Sequence, residues 1–291
     1  MDYDYDLAFS RNLGLVQPEE QQRLRASRVA IAGLGGVGGV HLTTLARLGV
    51  GHFHIADFDH FEVHNINRQA GAFCSTLGRE KSEVMQQMAL DINPTAEIKT
   101  FHEGVTPATI SAFLEGVDVV VDGLDYFALD ARDLLYRAAQ DRRVPVVAAG
   151  PIGASAALLI FLPGGMTWHE YFAMDLARDV TDKYVLFALG TAPKATHMPY
   201  LDRRYVSLVE KRGPSLSLAV QLCSGVAAAE TMKLLLKRGR VRAAPYYQQF
   251  DAYRGKFVVG KLRWGNRGPI QRLKLALLRR WLTGQRALKM S

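Results

Sequence analysis

The sequence predicts an α/β fold, a Rossmann-like doubly wound, mostly parallel sheet with helices on both faces. Three observations carry that expectation. RVAIAG (28–33) reads as a short buried strand running into a glycine-rich turn, GLGGVG (33–38). VHLTTLARLG (40–49) has helical spacing and ends at a glycine. HFHIADFD (52–59) is a second strand, alternating at first. Strand, turn, helix and strand in this order form the first half of a doubly wound domain.

The following segments continue the pattern. REKSEVMQQMALDINP (79–94) reads as a helix stopped by Asn-Pro, AEIKTFHEG (96–104) as a strand, and TPATISAFLEG (106–116) as a helix with proline in its first turn. DVVVDGLD (118–125) is expected as a buried strand leaving at Asp125. ALDARDLLYRAAQDRR (128–143) is a helix, and VPVVAAG (144–150) and SAALLIFLPGG (155–165) are strands. Residues 166–202 have no clear period and read as an excursion or long crossing connection. Long connections in compact domains are more often functional than idle. SLSLAVQLCSGVAAAETMKLLLKRGR (215–240) is a long helix of small residues, and PYYQQFDAYRGKFVVGKL (245–262) a final strand pair.

Composition excludes several classes. The chain has 291 residues, 48% of them hydrophobic, enough for a sizeable core. Two cysteines, Cys74 and Cys223, exclude a disulfide scaffold and a four-cysteine zinc site. The polar, acidic start is not that of a signal peptide, and no uninterrupted apolar run approaches 20 residues, so a cytoplasmic protein is expected. The net charge of +8 is misleading as an average. Residues 252–291 hold eleven of the 36 basic residues and no acid, which leaves 25 basic against 28 acidic residues in the rest. Nucleic-acid binding is therefore not expected of the body.

The chemistry begins at the glycine turn. Gly33, Gly35, Gly36 and Gly38 permit positive φ and close backbone approach, and the helix N-terminus behind them offers free N–H groups to phosphate oxygens. Asp57 follows Gly33 by 24 residues, the place of a ribose-binding carboxylate. That much serves NAD and ATP alike. Asn65, Arg68 and Gln69, then Lys81 at a helix start and Asp125 at a strand end, favour ATP, because cleaving a nucleotide builds charge that cations and a metal must stabilise. A positive charge at a helix start is disfavoured by the helix dipole, so Lys81 hints at an anionic ligand. An NAD-dependent oxidoreductase, or a module that binds nucleotide or peptide without chemistry, remains an alternative.

GLGGVG, DFDxxxxxNxxRQ, GREK (78–81) and Asp125 together resemble the ThiF/MoeB/HesA family, relatives of the ubiquitin-activating enzymes that adenylate a C-terminal carboxylate. The resemblance is close over about 8–160 and looser through 213–235. It implies that residues 1–262 form an adenylation domain with a crossover and substrate segment at 166–214. Asp57 would hold the ribose, Asn65, Arg68 and Lys81 the triphosphate, and Asp125 a Mg²⁺ ion. FSRN (9–12) matches the family's N-terminal segment, so Arg11 would reach the ATP of a partner subunit in a homodimer. The carboxylate would belong to a small ubiquitin-like or sulfur-carrier protein or a peptide. Tyr126 stands where family members commonly carry Asn. The two CxxC pairs of a structural zinc are missing, so no zinc is expected. No cysteine occurs around 200–216, where many members carry an acyl- or sulfur-accepting one. Cys223, in a small-residue helix, is expected to be a buried inert thiol.

Residues 263–291 form a basic tail, with Ile270, Leu273, Leu277 and Trp281 at helical spacing and Arg272, Arg279 and Arg286 repeating every seventh residue. Such a helix either meets an anionic membrane or acidic partner or packs on the body through its apolar stripe.

Overall fold

The computed structural model describes residues 3–208 and 210–290, the last ten of these by backbone alone. Two helices lead in, α1 (Tyr5–Ala8) and α2 (Pro18–Ala26). The first nucleotide-type half follows as β1 (Arg28–Ala32), α3 (Gly36–Arg47), β2 (His52–Ala56), α4 (Lys81–Ile92) and β3 (Glu97–Phe101). Then come α5 (Ile110–Phe113), β4 (Val119–Asp122), α6 (Leu129–Asp141), β5 (Val146–Ile152) and β6 (Ser155–Phe161). The rest is helical except for one hairpin: α7 (Trp168–Phe172), α8 (Val180–Thr191), α9 (Ser217–Leu236), β7 (Tyr246–Asp251), β8 (Lys256–Lys261) and α10 (Pro269–Met290).

All eight strands form one sheet in the order β3-β2-β1-β4-β5-β6-β7-β8. Strands β3 to β5 pair in parallel and β5 to β8 antiparallel. The expected doubly wound sheet and C-terminal strand pair are both present. Strands β1 and β4 are buried along nearly their whole length, as strands covered on both faces require. One face packs α3, α4 and α9 through residues such as Leu42, Met85, Val220 and Ala227. The other packs α5 to α8 and α10 through Phe113, Leu135, Phe161, Phe172 and Leu275. Helix α9 is apolar enough and, at 20 residues, long enough to cross a membrane, but half of it is buried within the protein. There Ser224 Oγ donates to the Val40 carbonyl of α3 at 3.1 Å.

Three expectations need correction. The strand expected to leave at Asp125 ends at Asp122. The helix read over 106–116 forms only from Ile110 to Phe113. The segment 166–202, which showed no period, contains two helices. Their pattern was hidden because α8 is buried on several sides, through Tyr184, Val185, Leu186, Leu189 and Thr191, so no polar stripe marks it.

Helix α10 packs on α8, but not through the stripe expected. Ile270, Leu273 and Leu277 are exposed, whereas Leu275 is buried. The docked face is largely polar. Gln271 Nε2 donates to the Leu189 carbonyl at 2.9 Å, Lys274 Nζ to the Pro193 carbonyl at 2.6 Å, and Arg279 Nη2 to Asp182 at 2.6 Å. The side chains of Trp281 and Arg286 lie outside the described residues.

Candidate active site

The carboxyl ends of β1, β2, β4 and β5 lie along one edge of the sheet. That edge floors a cleft of about 2370 Å³. Ligands of open α/β sheets bind at this edge, at the switch point of strand order, here between β1 and β4.

The glycine turn leaves β1 and starts α3 with Gly35 at the N-cap and no side-chain cap. Gly33 has φ +82°, and a Cβ there would lie 2.5 Å from the Gly123 carbonyl oxygen. A Cβ on Gly38 would overlap the Gly33 carbonyl, so this glycine is needed for close packing of helix and turn. Gly35 and Gly36 instead line the cleft, with only side-chain atoms near the position of an added Cβ. The first N–H groups of a helix lack partners within it, and those of α3 open here.

Asp57 follows β2 and is buried. Its Oδ2 accepts the Leu34 N–H at 2.6 Å and its Oδ1 the Asp59 N–H at 2.8 Å. Burial pushes its carboxyl above the usual range, against those two N–H groups and the Lys81 charge. The carboxylate therefore ties the glycine turn to the β2 loop at the edge of the cleft. Asn65 is buried, and its Oδ1 accepts the Glu62 N–H at 3.0 Å, which holds the turn that presents Arg68. Arg68 lines the cleft and donates to the His64 carbonyl and to Asn67 Oδ1, both at 2.9 Å. Among the described residues no carboxylate lies within 4.0 Å of its guanidinium.

Lys81 does open a helix, but it is not on an exposed start. It is buried, and its Nζ meets Asp59 Oδ2 at 3.0 Å. The misfit with the helix dipole is offset by Asp59, a partner the sequence reading did not single out. The signal was present in the DFD triplet, whose first and third residues share a side of an extended chain.

Asp125 lies three residues beyond β4, exposed at the cleft, with one oxygen accepting the Phe127 N–H at 2.9 Å. The strand-end carboxylate proper is Asp122, and it is committed elsewhere. It is buried, paired with Arg132 Nε at 2.8 Å, and accepts the Tyr136 hydroxyl at 2.8 Å. Burial opposes the Arg132 charge, but Asp122 holds it above its ordinary range. Arg132 Nη2 also donates to the carbonyls of Leu124 and Asp125, at 2.8 and 3.2 Å. The buried pair thus fixes the loop that presents Asp125. Leu129, Arg132, Leu135 and Tyr136 fall on the buried face of α6. An arginine on that apolar stripe was the available signal.

Among the described residues, four buried side-chain atoms of the cleft lining have no partner within the chain, Gln69 Oε1, Arg132 Nη1, Thr191 Oγ1 and His197 Nδ1. Gln69, expected only as a neighbour of Arg68, is thus itself a candidate ligand contact. Tyr126 turns away from the nucleotide end. Its hydroxyl donates to the Tyr184 carbonyl at 2.7 Å and its ring lies 5.1 Å from that of Phe187, so it anchors α8 over the cleft. Arg11 is exposed on the turn Ser10–Asn12 and does not line the cleft of its own chain. Neither cysteine lines it. Cys74 is exposed, and burial pushes the Cys223 thiol far up, which keeps it protonated and unreactive.

The comparisons agree with this geometry. The chain is 32% identical over 151 residues to a tRNA threonylcarbamoyladenosine dehydratase of Haemophilus influenzae, covering 52% of this chain and 57% of that protein. It is 30% identical over 159 residues to the sulfur carrier protein ThiS adenylyltransferase of Escherichia coli, covering 54% and 62%. Both shares fall below two thirds of those relatives' lengths. Among solved structures, E. coli MccB with MccA-N7isoAsn superposes with a TM-score of 0.69 at 17% identity, over 93% of this chain and 75% of that one. E. coli TcdA superposes with a TM-score of 0.59 at 20% identity, over 80% and 95%. The profile of the ThiF family matches residues 9–267, from the turn bearing Arg11 past the final strand pair. With the glycine turn, the Asp57 loop and the Arg68–Lys81 edge assembled on one cleft, the chain belongs to the ThiF family.

Proposed function

We propose that this protein is an ATP-dependent adenylyltransferase that activates the C-terminal carboxylate of a small carrier protein or a peptide as an acyl-adenylate, releasing pyrophosphate. The observation that carries the reading is that Asp57, Arg68, Lys81 and Asp125 line one cleft opening from the glycine turn. A cofactor that is only borrowed needs the turn and Asp57. The two added cations and the acid fit a triphosphate that is broken.

The residues fit ATP and Mg²⁺. Arg68 has no carboxylate partner among the described residues, Gln69 Oε1 and Arg132 Nη1 lack partners at the cleft, and Asp125 has a carboxylate oxygen to spare while Asp122 does not. Mg²⁺ held by Asp125 and phosphate oxygens would neutralise charge on the departing pyrophosphate. The chain's own groups do the rest. Asp57 orients the ribose, the α3 N-terminus receives phosphate oxygens, and Arg68 and Asp59-steered Lys81 stabilise the leaving group. The substrate carboxylate is already ionised near neutral pH and attacks the α-phosphorus without a general base. Arg11 of a second copy completes the cation set in a homodimer. The acyl-adenylate then passes to an external amine, thiol or sulfur donor. The relatives named for ThiS and the MccB–MccA complex support a carrier or peptide as substrate.

The test is ATP–pyrophosphate exchange with candidate carboxylates. Arg68→Ala is expected to lower the rate by about 10²–10³, the usual cost of one charge-stabilising donor, with an unchanged Tm. Full exchange in that variant removes Arg68 from the mechanism. Saturable binding of NADH with none of ATP replaces the reading with an oxidoreductase.

A further inference from the structure

The cleft is larger than its nucleotide requires. Small-molecule sites commonly occupy roughly 300–1,000 Å³, against about 2370 Å³ here. The surplus extends away from Asp125 along α8. Phe187, whose ring packs on Tyr126, begins a stretch that continues through Leu189 and reaches Pro193 and Lys194.

Where residues 193–212 and α10 line it, the exposed mouth of the cleft carries an excess of positive charge. Lys194, Arg203, Lys211 and Lys274 line it. The neighbouring acids are already used, Asp202 by Arg204 at 2.6 Å and Glu210 by Arg212 at 3.0 Å. None of the four cations has a carboxylate within 4.0 Å among the described residues. They come from three separate places in the chain, the end of α8, the 203–211 loop and α10. Lys274 Nζ rests on the Pro193 carbonyl, and burial together with nearby Lys194 holds its ammonium below the usual range. A bound anion would relieve that crowding.

We propose that this mouth reads acidic side chains, so that the substrate is a peptide or carrier tail with Asp or Glu residues upstream of the carboxylate that is activated. The inference deepens the adenylation reading and relies on it for the direction of entry, with the carboxylate at Asp125 and the acidic residues at Lys194. Nucleic acid fits less well. Four cations at the end of a partly apolar trough are not the broad basic face that follows a phosphate backbone, and the chain before residue 252 is net acidic.

The experiment reads affinity without chemistry. A short fluorescein-labelled peptide with four glutamates upstream of a free C-terminus is titrated with the full-length protein, beside an analogue with glutamine at those positions. The glutamate peptide is expected to bind at least about tenfold more tightly, with affinity falling as salt rises. Reversing two exposed cations, Lys194→Glu with Lys211→Glu, is expected to cost about tenfold, which is about 1.4 kcal/mol shared between two exposed pairs, with no change in Tm. Equal binding of the two peptides, or an unaffected double variant, overturns the proposal. So does a transfer RNA that displaces the peptide from the same cations and binds them more tightly. Exchange is followed on the same preparations. Selective binding of the acidic peptide without any exchange leaves the recognition of acidic side chains standing and withdraws only the adenylation of that peptide.

Discussion

The two halves of the cleft are held in different ways. At the nucleotide end most ties are short in sequence or run between adjacent loops, the exception being Asn67 Nδ2, which donates to the Ser215 carbonyl at 3.0 Å. Asp57 binds the N–H of Asp59, Asn65 that of Glu62, Asp122 that of Leu124 and Asp125 that of Phe127. At the end proposed for the acyl substrate the ties span the chain. Asn266 Nδ2 donates to the carbonyls of Phe172 and Leu186, Gln271 to Leu189, and Gln249 Nε2 to Thr196 Oγ1. The first half is a set of local turns resting on a parallel sheet, whereas the second is a helical cover fastened by residues about 50 to 100 positions away. Chemistry common to every nucleotide can be encoded locally. A substrate-specific cover needs parts from elsewhere.

The largest expected effect tests whether the nucleotide end is as self-sufficient as its short ties suggest. Its ion pair buried on both sides, Arg132 with Asp122, joins α6 to β4 and steadies the Asp125 loop. Arg132→Ala leaves a buried carboxylate without its cation and is expected to cost about 3–5 kcal/mol, measured by chemical denaturation. A loss under 1 kcal/mol would mean that the local ties alone hold the loop.

Next comes a pH effect at the same end. His41, on α3 behind the glycine turn, is buried, and neither ring nitrogen has a partner among the described residues. Burial lowers its pKa to about 4. The unfolded chain takes up this proton near pH 6.5 and the folded chain only near 4, so unfolding binds a proton in that window. His41 therefore makes stability fall as pH drops from 6.5 to 4, by about 3 kcal/mol at 1.36 kcal/mol per pH unit. Comparison with His41→Leu isolates the effect. The variant should lose that share of the slope, and identical slopes would show that His41 does not carry it.

The same contrast explains what the sequence disclosed. The places of the glycine turn and Asp57 on the cleft were legible from their offset from a strand end, and those of Asn65, Arg68 and Lys81 from the DFDxxxxxNxxRQ and GREK motifs that carry the family resemblance. Asp122 and Arg132 were missed because a buried ion pair appears in a sequence only as a charge on an apolar stripe. Helices α7 and α8 were missed because burial on several sides removes their polar face. The docking of α10 was misjudged for the opposite reason. Its apolar spacing was correct as a pattern, but three of its residues face outward, and the contact is made by Gln271, Lys274 and Arg279.

A smaller effect tests the fastening of the cover. Gln271 is buried and caps the Leu189 carbonyl of α8 while also donating to Asn266. Gln271→Ala leaves that carbonyl unsatisfied and is expected to cost about 1–3 kcal/mol. Because Leu189 lines the part of the cleft proposed for the acyl substrate and not the glycine turn, KM for the carboxylate should rise while KM for ATP holds. Equal rises in both would show that the two halves do not move independently.

The smallest effect is expected at the stripe that α10 turns outward. Leu273 is 62% exposed, and Ile270 and Leu277 are similarly open. Leu273→Ser removes no buried contact from the chain, so Tm should move by no more than about 0.5 kcal/mol warrants. The sharper reading comes from repeating the melt over a range of protein concentrations. Wild type and variant should then remain superimposed. A variant whose Tm falls further as it is diluted would show the stripe covered by a second copy of the chain, since stability gained by association follows mass action. The helix would in that case belong to the interface as well as to the cover, and the separation between the two halves of the cleft would extend across subunits.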